Sequence, residues 1–573
     1  MKTLSIFSLL FLLLFSPTDT RAQSWQTKLS DPMLAPIEKV EKEIDQIVVK
    51  FQKPLEDVDL NLASYHQLLR LFDEFTRFDS IFCKGLLEKV KNHDTLSGAE
   101  LFTLRKTVTT YYKINKKMLD FAKVYDFGGF LISRDFVREQ GNLPLIKAHL
   151  LWLSGHLLVL DHLERMHEIL YESDANFRRI VKNALMDKGN SENSVSKTLK
   201  DLIKMNQYSV EIGESPKFSQ QIYLVRSIHQ DLKVILQLEP LAYSLVKSIV
   251  ENQTAIDLSR GNVHFKMKNF SFVDSISQSV NKITGWLSEI FGNMAGAISW
   301  RSGYLYQNSN ALKQAILHLQ PMDVLLEKSP FILTDKFIPG HYGHAAIYLG
   351  TKKQLESIGM WNHPDIIPYQ KAIASGKTIL EAVRSGVRLN SIEEFLNIDQ
   401  MTIVRKKDAL TNENLLIEEI TRGMDQIGKE YDFNFDISTL DKIVCSELIY
   451  IFYGHIHWPT EYRIGRPIIT PDHVAEILFQ KNSKFHIVDF MVANTPNRIE
   501  KANLDYLAHE LDYELRKNDG SPIENKNDPT NSYWKKETKC FNVADGPNST
   551  NFKMKRICKT DYIEFYYEER ESI

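Results

Sequence analysis

The sequence has 573 residues, and its length, composition and charge limit what it encodes. At roughly 150 residues per domain, three or four structural units are expected. Hydrophobic residues make up 43% and charged residues 25%, which is typical of a globular protein and too apolar for a disordered chain. The 70 basic and 73 acidic residues give a net charge of -3, so no nucleic-acid partner is expected.

The first residues have the pattern of a secretory signal peptide. Lys2 supplies a positive charge, Leu4 to Phe15 is an apolar run too short to span a bilayer, and Thr20 and Ala22 suit cleavage directly afterwards. We expect residues 1–22 to be removed and the mature chain to be secreted or periplasmic; a retained N-terminal anchor is the alternative. No later stretch is predicted to be long or apolar enough to cross a membrane.

Residues 23–305 are predicted to form a helical domain. Ser97 and Glu100 have the spacing of a helix capping box. Apolar residues recur at spacings of three and four, the period of an amphipathic helix, as in Ile37, Val40, Ile44, Ile47 and Phe51. The economical interpretation is a helical bundle.

One predicted helix of this domain carries four histidines, His149, His156, His162 and His167. A metal site would need several of them to converge with a carboxylate such as Asp161 or Glu164. The first two are separated by two helical turns, and the last two project apart. We therefore expect no metal site, and histidines that are satisfied or solvated instead.

Residues 306–490 are predicted to form an α+β domain. From about residue 320, short apolar runs rich in β-branched or aromatic residues alternate with Gly, Pro and polar loops, which is typical of strands. A helix is predicted over Thr411 to Ile427, with Gly428 placed to end it.

Two places in this domain have residues suited to nucleophilic catalysis. His344 is predicted to begin a strand, and Cys445 to begin an apolar helix. Unpaired N–H groups and the helix dipole stabilise a thiolate at a helix start, and a neighbouring imidazolium strengthens the effect. Taken alone, Cys445 is more often a buried structural cysteine. Its combination with His344 and the flanking residues favours a nucleophile.

Five segments in order resemble the permuted papain-like amidase family, the YaeF/YiiX group related to NlpC-type cysteine peptidases. They are Met322-Asp323-Val324-Leu325, His344 to Gly350, Gly428-Lys429-Glu430-Tyr431-Asp432, Cys445-Ser446-Glu447-Leu448 and Thr470-Pro471-Asp472. The resemblance covers roughly residues 318–480 and implies a circularly permuted papain-like fold with a small antiparallel sheet. It departs from the family where Met322 replaces the usual glycine, and where a long segment containing Trp361, His363 and Pro364 follows the histidine strand.

The resemblance also implies the roles of the site residues. Cys445 corresponds to the nucleophile, His344 to the base, and Glu381 to the carboxylate that orients the imidazole; a solvated carboxylate is the alternative for Glu381. Tyr431, a substrate-binding candidate, either supplies a hydroxyl to the oxyanion or packs. His341 is expected in a loop near the cleft, as a second substrate-binding candidate.

Residues 491–573 are predicted to form a polar linker and a small β appendage. Lys517 to Thr530 reads as an exposed loop, and Phe552 to Cys558 and Tyr562 to Tyr567 as strands. Cys540 and Cys558 are expected to form a disulfide in an oxidising compartment, with two free thiols as the alternative.

Together these features predict an exported thiol hydrolase that cleaves an amide or ester of an acyl, peptide or lipid-like substrate through an acyl-enzyme, without a cofactor. The helical domain is expected to restrict access to the site or to bind a protein partner. Two alternatives remain: an acyltransferase using the same Cys and His, and a binding protein with a vestigial papain-like domain.

Overall fold

The structure is a computed structural model that describes residues 34–568, with gaps at the positions that follow. The gaps are residues 93, 127–132, 171–176, 179, 182–194, 261–298, 332–339, 432–441, 464–465, 497 and 545–553. The predicted signal peptide and its cleavage site therefore lie outside the described residues.

The N-terminal region is helical, as predicted. Its helices are α1 (Ala35–Gln46), α2 (Val58–Lys91), α3 (Gly98–Val124), α4 (Arg134–Arg138), α5 (Leu143–Leu170), α6 (Val195–Gly213), α7 (Pro216–Ser227), α8 (His229–Ile235), α9 (Pro240–Glu251) and α10 (Gln253–Ser259). The predicted capping box begins α3: Ser97 Oγ accepts from the Glu100 N–H, and the Glu100 carboxylate accepts from the Ser97 N–H. The sequence therefore specifies this helix start locally.

Helix α5 lies at the centre of the bundle. Its composition differs from the expectation about membrane-spanning stretches. Its segment Leu143–Met166 is long and apolar enough to cross a membrane by length and composition, contrary to the expectation that no later stretch would be. In the structure 72% of the most apolar window is buried against the rest of the protein. A helix that is apolar on all sides is expected at the centre of a large core.

Two buried histidines of α5, His156 and His162, make separate contacts. Nε2 of His162 lies 2.8 Å from the buried carboxylate of Asp79, whereas the buried His156 packs edge-on against Trp152 and Phe218. The side chain of His167 lies outside the described residues. Within the described part of the chain, no three His, Cys, Asp or Glu side chains are grouped to hold a metal ion.

A mostly antiparallel domain follows, in agreement with the predicted α+β class. Its elements are α11 (Ser309–His318), β1 (Asp323–Lys328), β2 (His344–Tyr348), α12 (Lys352–Ser357), α13 (Gln370–Ala374), β3 (Lys377–Val383), β4 (Gly386–Ser391), α14 (Ile392–Phe395), β5 (Gln400–Lys406), α15 (Glu413–Met424), β6 (Glu430–Tyr431), β7 (Lys442–Ile443), α16 (Cys445–Phe452), β8 (Glu461–Arg463), β9 (Arg466–Ile468), α17 (Pro471–Glu476), β10 (Phe485–Thr495) and β11 (Arg498–Lys501). Seven strands form one antiparallel sheet in the order β11-β10-β5-β1-β2-β3-β4. The strand that begins with His344 therefore lies between β1 and β3.

Two boundaries in this domain differ from the predictions. The boundary placed at residue 490 falls inside β10, so the sheet continues to Lys501. Helix α15 ends at Met424, because the chain turns there and the Gly428 N–H donates to the Val387 carbonyl of β4. The polar composition after residue 490 hid the end of β10 and all of β11, the edge strand of the sheet.

The C-terminal region contains α18 (Leu504–Glu510) and a three-stranded sheet of β12 (Tyr513–Arg516), β13 (Ser532–Ala544) and β14 (Met554–Glu564). The two predicted C-terminal strands are one strand, β14. It pairs with β13 over eleven residue pairs that include Cys540 opposite Cys558. These cysteines form the predicted disulfide. The loop predicted over Lys517 to Thr530 is present as exposed turns.

Candidate active site

Cys445 is the first residue of α16, as the sequence predicts. The N–H of Val444 donates to the Glu447 carboxylate at 2.9 Å, and the Ser446 hydroxyl donates to the Ile469 carbonyl at 2.8 Å. These contacts fix the helix start on both sides. The first N–H groups of a helix lack intrahelical partners, so this end presents donors and positive dipole charge beside the thiol.

His344 begins β2, and a neighbouring helix fixes the loop before it. The carboxylate of Asp472, in the first turn of α17, accepts from the N–H groups of His341 and Tyr342, each at 2.8 Å. Thr470 caps the same helix. The Thr-Pro-Asp segment therefore positions the histidine strand, a role that sequence reasoning did not assign to Asp472.

The side chains of His344 and Cys445 lie close enough to interact electrostatically. Burial alone would lower the pKa of His344, but the adjacent Cys445, the hydrogen bonds to Cys445 and Glu381, and the charge of Glu327 raise this pKa well above its usual value. The imidazole side chain is 14% exposed. The site therefore favours an imidazolium beside the sulfur.

Glu381 lies where the resemblance predicts the third residue. Its Oε2 is 3.3 Å from Nε2 of His344, and its Oε1 accepts from Nε of Arg388 at 3.1 Å. Burial would raise the pKa of Glu381, but His344 and Arg388 lower it below its usual value. The alternative of a solvated carboxylate is wrong, since Glu381 is only 3% exposed.

A second carboxylate, that of Glu327, also faces the imidazole of His344. The sequence did not single out this residue. Glu327 in β1 is the direct cross-strand partner of His344, so both side chains project from the same face of the sheet. On the same side, the ring of Phe395 lies 6.2 Å from the imidazole. Strand alternation places Glu327 on a face, but only the pairing register places it opposite His344.

Two other carboxylates, those of Asp323 and Glu356, are close to His344 in sequence but lie away from its imidazole. Asp323 is fully buried, binds Arg405 through two contacts of 2.7 Å, and is opposite Tyr348 rather than His344. Glu356 is exposed on α12 beside Lys352. Neither contacts the imidazole.

His341 does not join the His344–Cys445 pair. Its side chain is 1% exposed, its Nε2 lies 3.0 Å from Gln400 Oε1, and its Nδ1 lies 3.0 Å from Glu510. Burial and the nearby Lys328 lower its pKa. His341 therefore lies in the loop before β2, with its imidazole inside a polar network within the fold, and its role in substrate binding stays a prediction.

Tyr431 lies close to the nucleophile in the backbone. It pairs with Ile443 in the short parallel sheet of β6 and β7, two residues before Cys445, and its ring packs on the hydrophobic core. Of the two interpretations of Tyr431, this placement favours packing. The next residue of the family segment, Asp432, lies outside the described residues.

Met322 directly precedes β1, at the position where the family usually has glycine. Its backbone conformation shows why glycine suits this position. Its φ angle is 77°, in the left-handed region that glycine adopts without steric cost. Its N–H donates to the Tyr348 carbonyl at 2.8 Å, and its carbonyl accepts from the Tyr453 hydroxyl. These bonds hold the strained residue in place beside β2.

The fold has the arrangement of a papain-like domain in which the strand that begins with the histidine precedes the helix that begins with the cysteine. Residues 318–499 match the model of the permuted papain-like amidase enzymes, the YaeF/YiiX, C92 family, which confirms the resemblance over this segment. No curated protein and no solved structure gives a significant match. The helical region and the C-terminal β appendage lie outside the family match.

Proposed function

We propose that this protein is a cysteine amidase or esterase that forms an acyl-enzyme on Cys445, with His344 as general base and Glu381 as orienting carboxylate. The observation that carries the proposal is the chain of contacts from Cys445 to His344 to Glu381. Each partner performs one task in nucleophilic catalysis.

The contacts of His344 suggest how the proton moves. Glu381 occupies Nε2, so Nδ1 is the nitrogen that takes the thiol proton. The sulfur then attacks the carbonyl carbon, His344 returns the proton to the leaving amine or alcohol, and a thioester remains on Cys445. Water deprotonated by His344 attacks the thioester, which releases the acid and regenerates the thiol.

The start of α16 supplies the electrostatic part of the proposal. The tetrahedral intermediate carries a negative oxygen, which backbone N–H groups at a helix start stabilise. The Cys445 N–H is the donor we assign to this oxygen. The substrate is an acyl, peptide or lipid-like amide or ester.

Export is part of the proposal and is supported by two features of the chain. Residues 1–22 have the pattern of a signal peptide, and the Cys540–Cys558 disulfide is typical of proteins in oxidising compartments. N-terminal sequencing of the protein recovered outside the cytoplasm would test export. A mature chain that begins near Gln23 is expected, and an intact Met1 would contradict cleavage.

The catalytic proposal is tested with a panel of acyl amides and esters and the mature chain, with Cys445→Ala as the matched variant. We expect turnover by the wild-type protein alone, and a mass increase of one acyl group on the peptide that contains Cys445. An acyltransferase would instead deliver the acyl group to an added amine or alcohol in preference to water. Equal turnover by both proteins would refute the role of Cys445.

A further inference from the structure

We propose that helix α3 of the N-terminal region is a positioning element of the active site. It contacts the far end of the nucleophile helix α16 and the end of α15, from which the chain leads to the strand opposite Glu381. The inference rests on the proposed function and assigns the helical region a direct part in it.

The first contact joins the start of α3 to the end of α16 without an intervening side chain. A Cβ atom on Gly98 would overlap the Tyr450 carbonyl, and one on Gly454 would overlap the backbone of Ala99. The Ala99 N–H donates to the Gly454 carbonyl at 3.3 Å. The two backbones are therefore in direct contact, and α16 cannot shift toward α3.

A side-chain bond reinforces the same junction. The Tyr450 hydroxyl, which is buried, donates to the carbonyl of Leu96 at 2.5 Å. The capping box of Ser97 and Glu100 fixes the chain between Leu96 and α3. The start of α3 is therefore anchored independently of α16.

The helix dipoles of α16 and α3 also favour the contact between them. The carboxyl end of α16 carries partial negative charge, and the amino end of α3 carries partial positive charge. The contact between Gly454 and Ala99 brings these ends together. All eight residues of α16 are buried, and the helix is about 12 Å long at 1.5 Å per residue, so a tilt at Phe452 displaces Cys445 at the other end.

The second contact lies on the same face of α3, two turns further along. Arg105, seven residues after Gly98, forms a two-contact ion pair with Asp425 at the end of α15. The Arg105 and Asp425 side chains are only 10% and 23% exposed. The pair therefore fixes the end of α15 against α3.

The turn after Asp425 leads to the strand that supports Glu381. The Gly428 N–H donates to the Val387 carbonyl and the Val387 N–H to the Lys429 carbonyl, each at 2.9 Å. In β4, Val387 precedes Arg388, which pairs with Glu381 in both register and charge. One face of α3 thus supports Cys445 through α16 and Glu381 through α15 and β4.

The test compares Gly98→Ala with Gly85→Ala in the full mature chain. Gly85 lies in α2, and a Cβ atom there would meet nothing within 4 Å, so it is the matched control. The readout is the rate of Cys445 alkylation by iodoacetamide between about pH 5 and pH 9, with peptide mapping. A displaced sulfur loses its imidazolium partner, which changes the pH profile, whereas loss of stability alone does not.

We expect the ratio of the Cys445 alkylation rate at pH 6 to that at pH 9 to be about tenfold lower in the Gly98→Ala protein than in the wild type. A displacement of the alkylation profile by one pH unit changes this ratio by a factor of ten. Gly85→Ala should keep the wild-type profile. Arg105→Gln is the milder second variant. If Gly98→Ala does not fold, the same change in the alkylation profile is expected and measured in Arg105→Gln. A wild-type profile in the folded variants, even with a lower unfolding temperature, would show that α3 is only structural. A wild-type protein without enhanced reactivity of Cys445 at acidic pH would instead refute the proposed function.

Discussion

Nε2 of His344 lies 3.3 Å from Oε2 of Glu381, and this contact joins adjacent strands of the sheet. The carboxylate accepts the Nε2 proton and thereby leaves Nδ1 for the thiol. Because Glu381 also binds Arg388, it is held on both oxygens and cannot rotate away from the imidazole. Four predictions concern this arrangement and the buried titratable groups elsewhere in the fold.

We expect Glu381→Gln to lower turnover by roughly ten- to a thousandfold, and Cys445→Ala to abolish it. Glutamine keeps an acceptor oxygen for the ring but loses the charge that favours the imidazolium, and acid–base assistance is typically worth about 10²–10⁴. Steady-state kinetics on an acyl substrate would measure this, with circular dichroism to confirm folding. Unchanged activity would move the orienting role to another residue and leave the Cys445–His344 pair standing.

Glu327 is predicted to help keep His344 charged. It lies in β1, on the other side of the histidine strand from Glu381 in β3. Its negative charge raises the pKa of His344, so Glu327→Gln should shift the alkaline limb of the activity profile toward lower pH. The sign follows because an imidazolium is lost as the pH rises through the pKa of the folded protein. The exposed Glu393→Gln on α14 is the control. Identical alkaline limbs in both variants would argue against this role.

Cys445 is predicted to be alkylated at mildly acidic pH well before Cys83. Both cysteines are buried, but only Cys445 adjoins an imidazole, that of His344, whose pKa is raised well above its usual value. Burial and the nearby Asp79 raise the pKa of Cys83. Peptide mapping after brief iodoacetamide treatment would compare the two. Labelling of Cys83 at an equal rate would contradict the assignment of the nucleophile.

The buried His156 is predicted to destabilise the helical region in acid. Burial, assisted by the charge of Lys123, lowers its pKa to about 3, and neither ring nitrogen has a hydrogen-bond partner. The unfolded chain binds a proton below about pH 6.5, so stability falls as the pH drops from there toward 3. Hydrogen exchange of α5 amides should record this decline.

His156→Leu should reduce the loss of local stability between about pH 7 and pH 4 by about 3 kcal/mol, at about 1.4 kcal/mol per pKa unit. His509→Leu is the control, because the side chain of His509 is 88% exposed. An equal acid sensitivity of wild type and His156→Leu would show that other groups govern the decline.

The sequence by itself determined the local elements of the site. Cys445 begins a helix and His344 begins a strand because apolar periodicity and turn residues fix secondary structure over short distances. The order of five short segments was enough to indicate the permuted papain-like family, which the match over residues 318–499 confirms. The capping box of α3 was predicted for the same reason, since its two residues are three positions apart.

Only the tertiary structure decided which distant residues meet. Glu327 faces His344 because of the register between β1 and β2, and a shift of one residue would send it to the other face. His341 was expected in a loop near the cleft, and only the fold shows that its imidazole binds Gln400 of β5 and Glu510 of α18. Arg105 and Asp425 are 320 positions apart. No local period encodes such contacts, because they arise when packed elements close long loops around a common core.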